Sequence, residues 1–224
     1  MTKVFEGDVL HVIPMENGII IAYAEERSDS QITAAFKMIS FDTGKITNVA
    51  KNIYQLSKFG ENYKAFCIQV QNYFTSKTII FPSEKMLVLE LDGTVELLDT
   101  DASFLWAGKL LYKNAPPSCL ALFQNKLWAT FPEHNVLVRY NINTMREELR
   151  IGGGTASPFA QPCDIFIKGD FAYICNPGSL QILKVDLNNY SLEVYEEFTQ
   201  PVKQYLEVDG KRFAVMNTGV YQLD

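Results

Sequence analysis

The chain states one pattern twice. Residues 116–141 read PPSCLALFQNKLWATFPEHNVLVRYN, and residues 161–186 read QPCDIFIKGDFAYICNPGSLQILKVD. In each, a proline opens a short apolar run, a turn follows, an aromatic-rich run comes next, and a second break leads into an alternating run. Runs of this length, rich in β-branched and aromatic residues and cut by ENG, DTG, LDG, QNK, KGD and VDG, are strands. A unit built this way is a small sheet with two apolar faces, and only its neighbours can bury them.

Aligning copies on the proline gives Pro117, Pro162 and Pro201, each followed eight residues on by a turn residue, Asn125, Asp170 and Asp209. Second strands LWATF, FAYIC and RFAVM follow, then third strands VLVRYNI, LQILKVDL and GVYQLD. Proline is tolerated at the start of a strand, where no ladder bond is lost. A fourth copy lacks the proline and turns at Asn17, with first strand VLHVI. A fifth, blurred in register, occupies residues 65–93.

Fourth strands are assigned to KITNVAKNI, TVELLD, REELRI and SLEVYEEF; the last copy stops at its third. TMREELRI at 144–151 is too short for a sustained helix and ends in glycines, so a polar outer strand and loop fit it as well as one helical turn does. Five copies in 224 residues average about 45, the period of four-stranded propeller blades. The expected fold is an all-β, five-bladed β-propeller of antiparallel blades, one domain over residues 1–224. The N-terminal piece TKVFEG is expected to pair with the C-terminal blade and close the ring.

The repeat of residues 161–186 resembles the NHL and lactonase-like propeller repeats. It covers residues 117–224 clearly and 9–93 loosely, and it implies architecture, not activity. Gluconolactonase-type members hold a divalent metal on a Glu, two Asn and an Asp, and open with GEGP. Here FEGDVLHVI offers Glu6 and Gly7 without the proline, and the segment serves better as the closing strand. No metal and no cofactor is expected.

In a propeller the first strand of each blade lines the axis, so one repeat position converges from all blades. The second residue after the proline gives Cys119, Asp164 and Lys203, with His11 from the N-terminal copy and Phe66 or Cys67 from the blurred one. His11, Cys119, Asp164 and Lys203 form the candidate ligand-binding column at the channel mouth. Such a set can hold a polar ligand, bind a metal through His11 and Asp164, or move protons at His11 near neutral pH. It can equally be a polar rim in which Asp164 and Lys203 pair between blades.

Other features read as structural. IGGGTASP at 151–158 lacks the lysine and helix of a phosphate loop and serves as a connection between blades. His134 sits in a turn and is expected to be exposed. Trp128 and Tyr173 share a second-strand position suited to inter-blade packing, and Trp106 falls in an insert. Residues 52–64, NIYQLSKFGENYK, suit a lid or partner-binding loop.

Net charge is −6, and the only basic pair is KR at 211–212, which argues against nucleic acid and anionic membranes as partners. The four cysteines lack CxxC spacing and sit in strand-like runs, as reduced thiols do. No apolar run is long enough to span a bilayer, and the N-terminus has no secretory pattern, so a cytoplasmic location is expected. The expected function is a non-catalytic module that binds a protein partner or small polar ligand at the mouth or rim loops. The alternative is a small lactone or glycoside hydrolase, for which Asp164 is the clearest acid, with Asp8, Glu6 and Glu207 behind it.

Overall fold

The computed structural model describes residues 1–15, 17–27, 32–49, 76–80, 86–90, 93–98 and 104–224. They form five four-stranded antiparallel sheets. The first holds β2 (Asp8–Met15), β3 (Gly18–Arg27), β4 (Ile32–Ser40) and β5 (Ile46–Asn48). The second holds β6 (Ser76–Ile80), β7 (Met86–Glu90), β8 (Thr94–Leu98) and β9 (Phe104–Lys109). The third runs β10 (Cys119–Phe123), β11 (Lys126–Phe131), β12 (Val136–Asn141) and β13 (Glu147–Gly152). The fourth runs β14 (Asp164–Lys168), β15 (Phe171–Asn176), β16 (Gln181–Asp186) and β17 (Leu192–Glu197).

The fifth sheet joins both ends of the chain. Its order is β1 (Thr2–Glu6), β20 (Gly219–Leu223), β19 (Lys211–Met216) and β18 (Val202–Val208), with β1 antiparallel to β20. The N-terminal segment is thus the outer strand of the last sheet. β6, β10, β14, β18 and β2 follow one another as inner strands, each packed beside the next.

Two-residue turns set the hairpins. Gln124–Asn125 and Asp209–Gly210 have positive φ at both positions, as a type I′ turn requires, and Gly169 has φ 56°. The turn in the fourth sheet therefore enters its left-handed conformation at Gly169, one residue before the Asp170 that marks it in the repeat.

The central residues of the second strands are mostly apolar because both faces of each sheet are covered. Leu127 and Ala129 pack with Leu87 and Val95 of the second sheet, whereas Trp128 packs with Ile165 and Ala172 of the fourth. Tyr173 and Cys175 meet Tyr205 and Met216 of the fifth, and Phe213 and Val215 meet Val12 and Ile21 of the first. Successive residues of one strand thus serve two different interfaces, as the period of two demands.

The second sheet departs from the sequence reading. TVELL is its third strand, β8, and its fourth is Phe104–Lys109, inside the segment read as an insert; Trp106 is an outer-strand residue. In the sequence the run at 65–74 competes with Ser76–Ile80 for the first-strand position. Phe66, Cys67 and the segment 52–64 lie outside the described residues.

Candidate functional site

Strand pairing gives a more reliable column than the proline does. Cys119 pairs with Thr130, Asp164 with Cys175, Gln204 with Val215, His11 with Ala22 and Ser76 with Glu90. Each of these pairs sits the same number of steps from its hairpin turn. The equivalent position in the fifth sheet is therefore Gln204, and Lys203 is the extra residue at a register shift between Val202 and Gln204. A bulge of this kind inserts one residue and turns the side chains that follow to the other face. Lys203 stands exposed beside the column; His11, Cys119, Asp164 and Gln204 are half-buried within it.

Most of these polar groups reach into the neighbouring sheet. The Cys119 thiol donates to Asp164 Oδ1 at 3.3 Å, and Asp164 Oδ2 accepts the Tyr205 backbone N–H at 3.2 Å. Gln204 donates from Nε2 to the Val12 carbonyl at 2.9 Å and accepts the Val12 N–H on Oε1 at 2.9 Å. One residue earlier the same device recurs: the Ser118 hydroxyl donates to the Cys163 carbonyl at 3.0 Å, and the Cys163 thiol donates to the Lys203 carbonyl at 3.4 Å.

The physical reason lies in the architecture. Inner strands of adjacent sheets run side by side without a shared ladder, so their inner-edge N–H and C=O groups need partners from elsewhere. Short polar side chains at the strand entry supply them, and the result is a girdle of hydrogen bonds from the third sheet through the fourth and fifth to the first. Gln204→Leu is expected to leave both Val12 groups unpaired and to lower unfolding free energy by about 2 kcal/mol, read by urea denaturation. A loss within the noise of the titration would remove the girdle as a stabilising element.

Burial shapes the thiols as well. Cys119 and Cys163 are half-buried and Cys175 is buried. Burial, with Asp164 and the two other thiols nearby, pushes Cys175 well above the usual thiol range, so it stays protonated. Among the described residues no group of three metal-type side chains converges. Glu6 pairs with Gly219 on the outermost strand and meets Lys3 at 3.5 Å, at the far edge of the sheet from the inner strands.

The opposite ends of the inner strands carry a second polar group. Tyr205 donates to Glu207 Oε1 at 2.6 Å, Lys168 forms an ion pair with Glu207, and Arg212 donates to Tyr195 at 3.1 Å. Burial works against the Glu207 carboxylate, but the hydrogen bonds from Lys168 and Tyr205 outweigh it and hold its pKa below the usual range. Burial, reinforced by Glu207, pushes the Tyr205 phenol upward.

A depressed folded-state pKa contributes stability that is complete above the unfolded carboxylate value and is lost as pH falls through the folded one. Glu207→Gln is accordingly expected to lose about 2 kcal/mol at pH 7, with wild type and variant converging at acid pH. A constant gap from pH 7 to pH 3 would exclude the ionised carboxylate as the cause.

His134 is half-buried, not exposed: its ring lies edge-on to Tyr112 at 5.4 Å, and its Nε2 has no hydrogen-bond partner among the described residues. The glycine-rich connection is held by Asn135, whose carbonyl accepts Gly153 N–H at 3.0 Å and Ser157 Oγ at 2.6 Å.

No family model matches the chain, and no curated protein matches it. Solved structures do. The Saccharomyces cerevisiae Sqt1 structure aligns with TM-score 0.54 and 5% identity, over 96% of this chain and 71% of that one. A streptogramin B lyase aligns with TM-score 0.51 and 10% identity, over 98% and 69%. The chain spans 58% of the computationally designed Ika8 protein, at TM-score 0.50 and 9% identity over 96% of its own length. The fold is an all-β propeller. At these identities the likeness is one of architecture alone. No helix among the described residues is long and apolar enough to cross a membrane.

Proposed function

We propose that residues 1–224 are a single five-bladed propeller domain acting as a non-catalytic binding module. It holds a protein partner or small polar ligand at the mouth where the inner strands begin, beside His11, Cys119, Asp164 and Lys203. Five four-stranded sheets and the pairing of β1 with β20 support the blade count. The repeat pattern supports kinship with NHL and lactonase-like propellers, and the cysteine pattern, without CxxC spacing, supports a cytoplasmic location.

One observation carries the non-catalytic reading. Both Asp164 oxygens and the Cys119 thiol are engaged at the girdle, so the polarity of the column holds neighbouring sheets together. Lys203, thrown out of register, is an exposed cation with no ion pair among the described residues, and it favours a ligand bearing negative charge.

The test compares wild type, Lys203→Glu and Asp164→Asn. Thermal shifts are read with phosphate, dicarboxylates and sugar acids, and turnover with lactones and aryl glycosides. A stabilising anion whose effect disappears in Lys203→Glu supports the module. Lactone or glycoside turnover abolished in Asp164→Asn overturns it in favour of the hydrolase.

A further inference from the structure

The first sheet carries a cavity of about 320 Å³ away from the girdle, lined by Tyr23, Glu25, Ala35, Lys37, Asn48 and Val49. Its construction follows from register. Lys37 and Asn48 are paired across β4 and β5, so their side chains leave the same face with Cβ atoms about 5 Å apart. Ala35 is paired with Tyr23, and its single methyl group leaves open the space beside that ring. Glu25 occupies a register shift between the pairs Ala24–Ala34 and Glu26–Thr33, the kind of bulge that re-aims a side chain.

The Lys37 ammonium rests over the Tyr23 ring at 5.4 Å and the Phe5 ring at 5.7 Å, which fixes its position without neutralising its charge. Among the described residues, neither Lys37, Glu25 nor Asn48 has an ion-pair or hydrogen-bond partner. The girdle side chains, by contrast, are all engaged.

We propose that this cavity binds a small zwitterion, a free α-amino acid with an apolar side chain. The carboxylate is received by Lys37 and the Asn48 amide, two donors side by side on adjacent strands. The ammonium is received by Glu25. The apolar side chain lies over Ala35 between Tyr23 and Val49. A plain anion would be repelled by Glu25 and a plain cation by Lys37, whereas a ligand with both charges at α-carbon spacing satisfies both. A volume near 300 Å³ is at the small end of ligand cavities, which suits a molecule of this size.

The experiment is an amide NMR titration of the full chain with L-leucine, L-valine and L-phenylalanine up to about 10 mM, a range that detects millimolar affinity. Controls are 4-methylpentanoate, which lacks the ammonium, and isopentylamine, which lacks the carboxylate. Saturable shifts at Tyr23, Ala35 and Val49 are expected for at least one amino acid. Each half-ligand is expected to bind at least about tenfold more weakly, the cost of one charged contact.

Lys37→Met, which keeps an apolar stem over the rings, and Glu25→Gln are expected to weaken the amino acid by the same factor. Ala35→Leu, which fills the cavity and touches no charge, is expected to abolish binding. The Lys203→Glu protein is expected to bind as wild type does, which separates this site from the mouth. The spectrum of each variant reports its folding, and Glu25, being exposed, provides a variant with little bearing on the core. No saturable shift with any of the three amino acids, a half-ligand as tight as the amino acid, or unchanged affinity in Glu25→Gln would each overturn the assignment.

Discussion

Replacing Gly219 with alanine is expected to unfasten β1 from β20 and to lower unfolding free energy by about 3–5 kcal/mol. Gly219 has φ +149°, a conformation L side chains rarely adopt, and it pairs with Glu6 on one side and Met216 on the other. An added Cβ would lie 2.0 Å from the Phe5 carbonyl oxygen and 3.0 Å from its carbon. Those are backbone atoms of the closing strand, so no rotamer relieves the clash; the strand itself must move. Phe5 would leave with it, giving up its contacts with Tyr23 at 5.2 Å and with the cluster around Val9 and Phe213.

Hydrogen exchange separates this from general destabilisation. Amides of β1 and β20 are expected to lose protection before those of β11 or β15. Gly210→Ala is the control: its φ is +73°, and nothing lies within 4 Å of the added methyl, so it carries backbone strain alone, about 1 kcal/mol. Equal losses in the two variants, or unchanged protection of β1, would show that the N-terminal strand does not hold the ring closed.

Truncation of Trp128 is the second large effect. Its side chain is 1% exposed and fills the interface between the third and fourth sheets, against Ile165 and Ala172. The Arg139 guanidinium lies 5.7 Å from its ring and donates to Tyr190 at 2.6 Å, which covers the indole from outside. Trp128→Ala opens a cavity in an interface that cannot collapse without shifting two sheets, and a loss of about 3–5 kcal/mol is expected.

Trp128→Phe should cost far less, because the indole N–H is buried without a partner among the described residues and its removal forfeits no hydrogen bond there. Equilibrium denaturation of the pair decides the matter. A Phe variant as damaged as the Ala variant would mean that the N–H has a partner in solution. A loss under about 1 kcal/mol for the Ala variant would place the interface outside the cooperative core.

The two ends of each inner strand differ in how much of them could be read in advance. Hairpin turns are local: Asn125 and Asp209 announce left-handed backbone, and counting back five residues from the first turn residue lands on His11, Cys119, Asp164 and Gln204 alike. The prolines lie on the far side of any bulge. Counting forward from Pro201 therefore selected Lys203, while Pro117 and Pro162 selected the paired residues. The second sheet departs from the sequence pattern for a related reason. An apolar run has no direction of its own, and without a tight turn to anchor it, neighbouring runs compete for the same strand.

The cavity on the first sheet was not legible at all. Tyr23, Glu25, Lys37 and Asn48 come from three strands, and only their pairing, with a bulge at Glu25, turns them toward one space.

What the sequence by itself determined was the repeating unit: short strands of period two, turn residues that favour hairpins, apolar second strands that demand cover on both faces, and an N-terminal segment free to complete the last sheet. These follow from local sterics and from which side chains water excludes. Only the tertiary structure decided that the polar column is tied across neighbouring sheets, that Gln204 rather than Lys203 belongs to it, and which charges remain uncommitted. Those outcomes depend on register and on contacts between residues as far apart as Val12 and Gln204, and a single inserted residue changes them without altering the pattern that defines the fold.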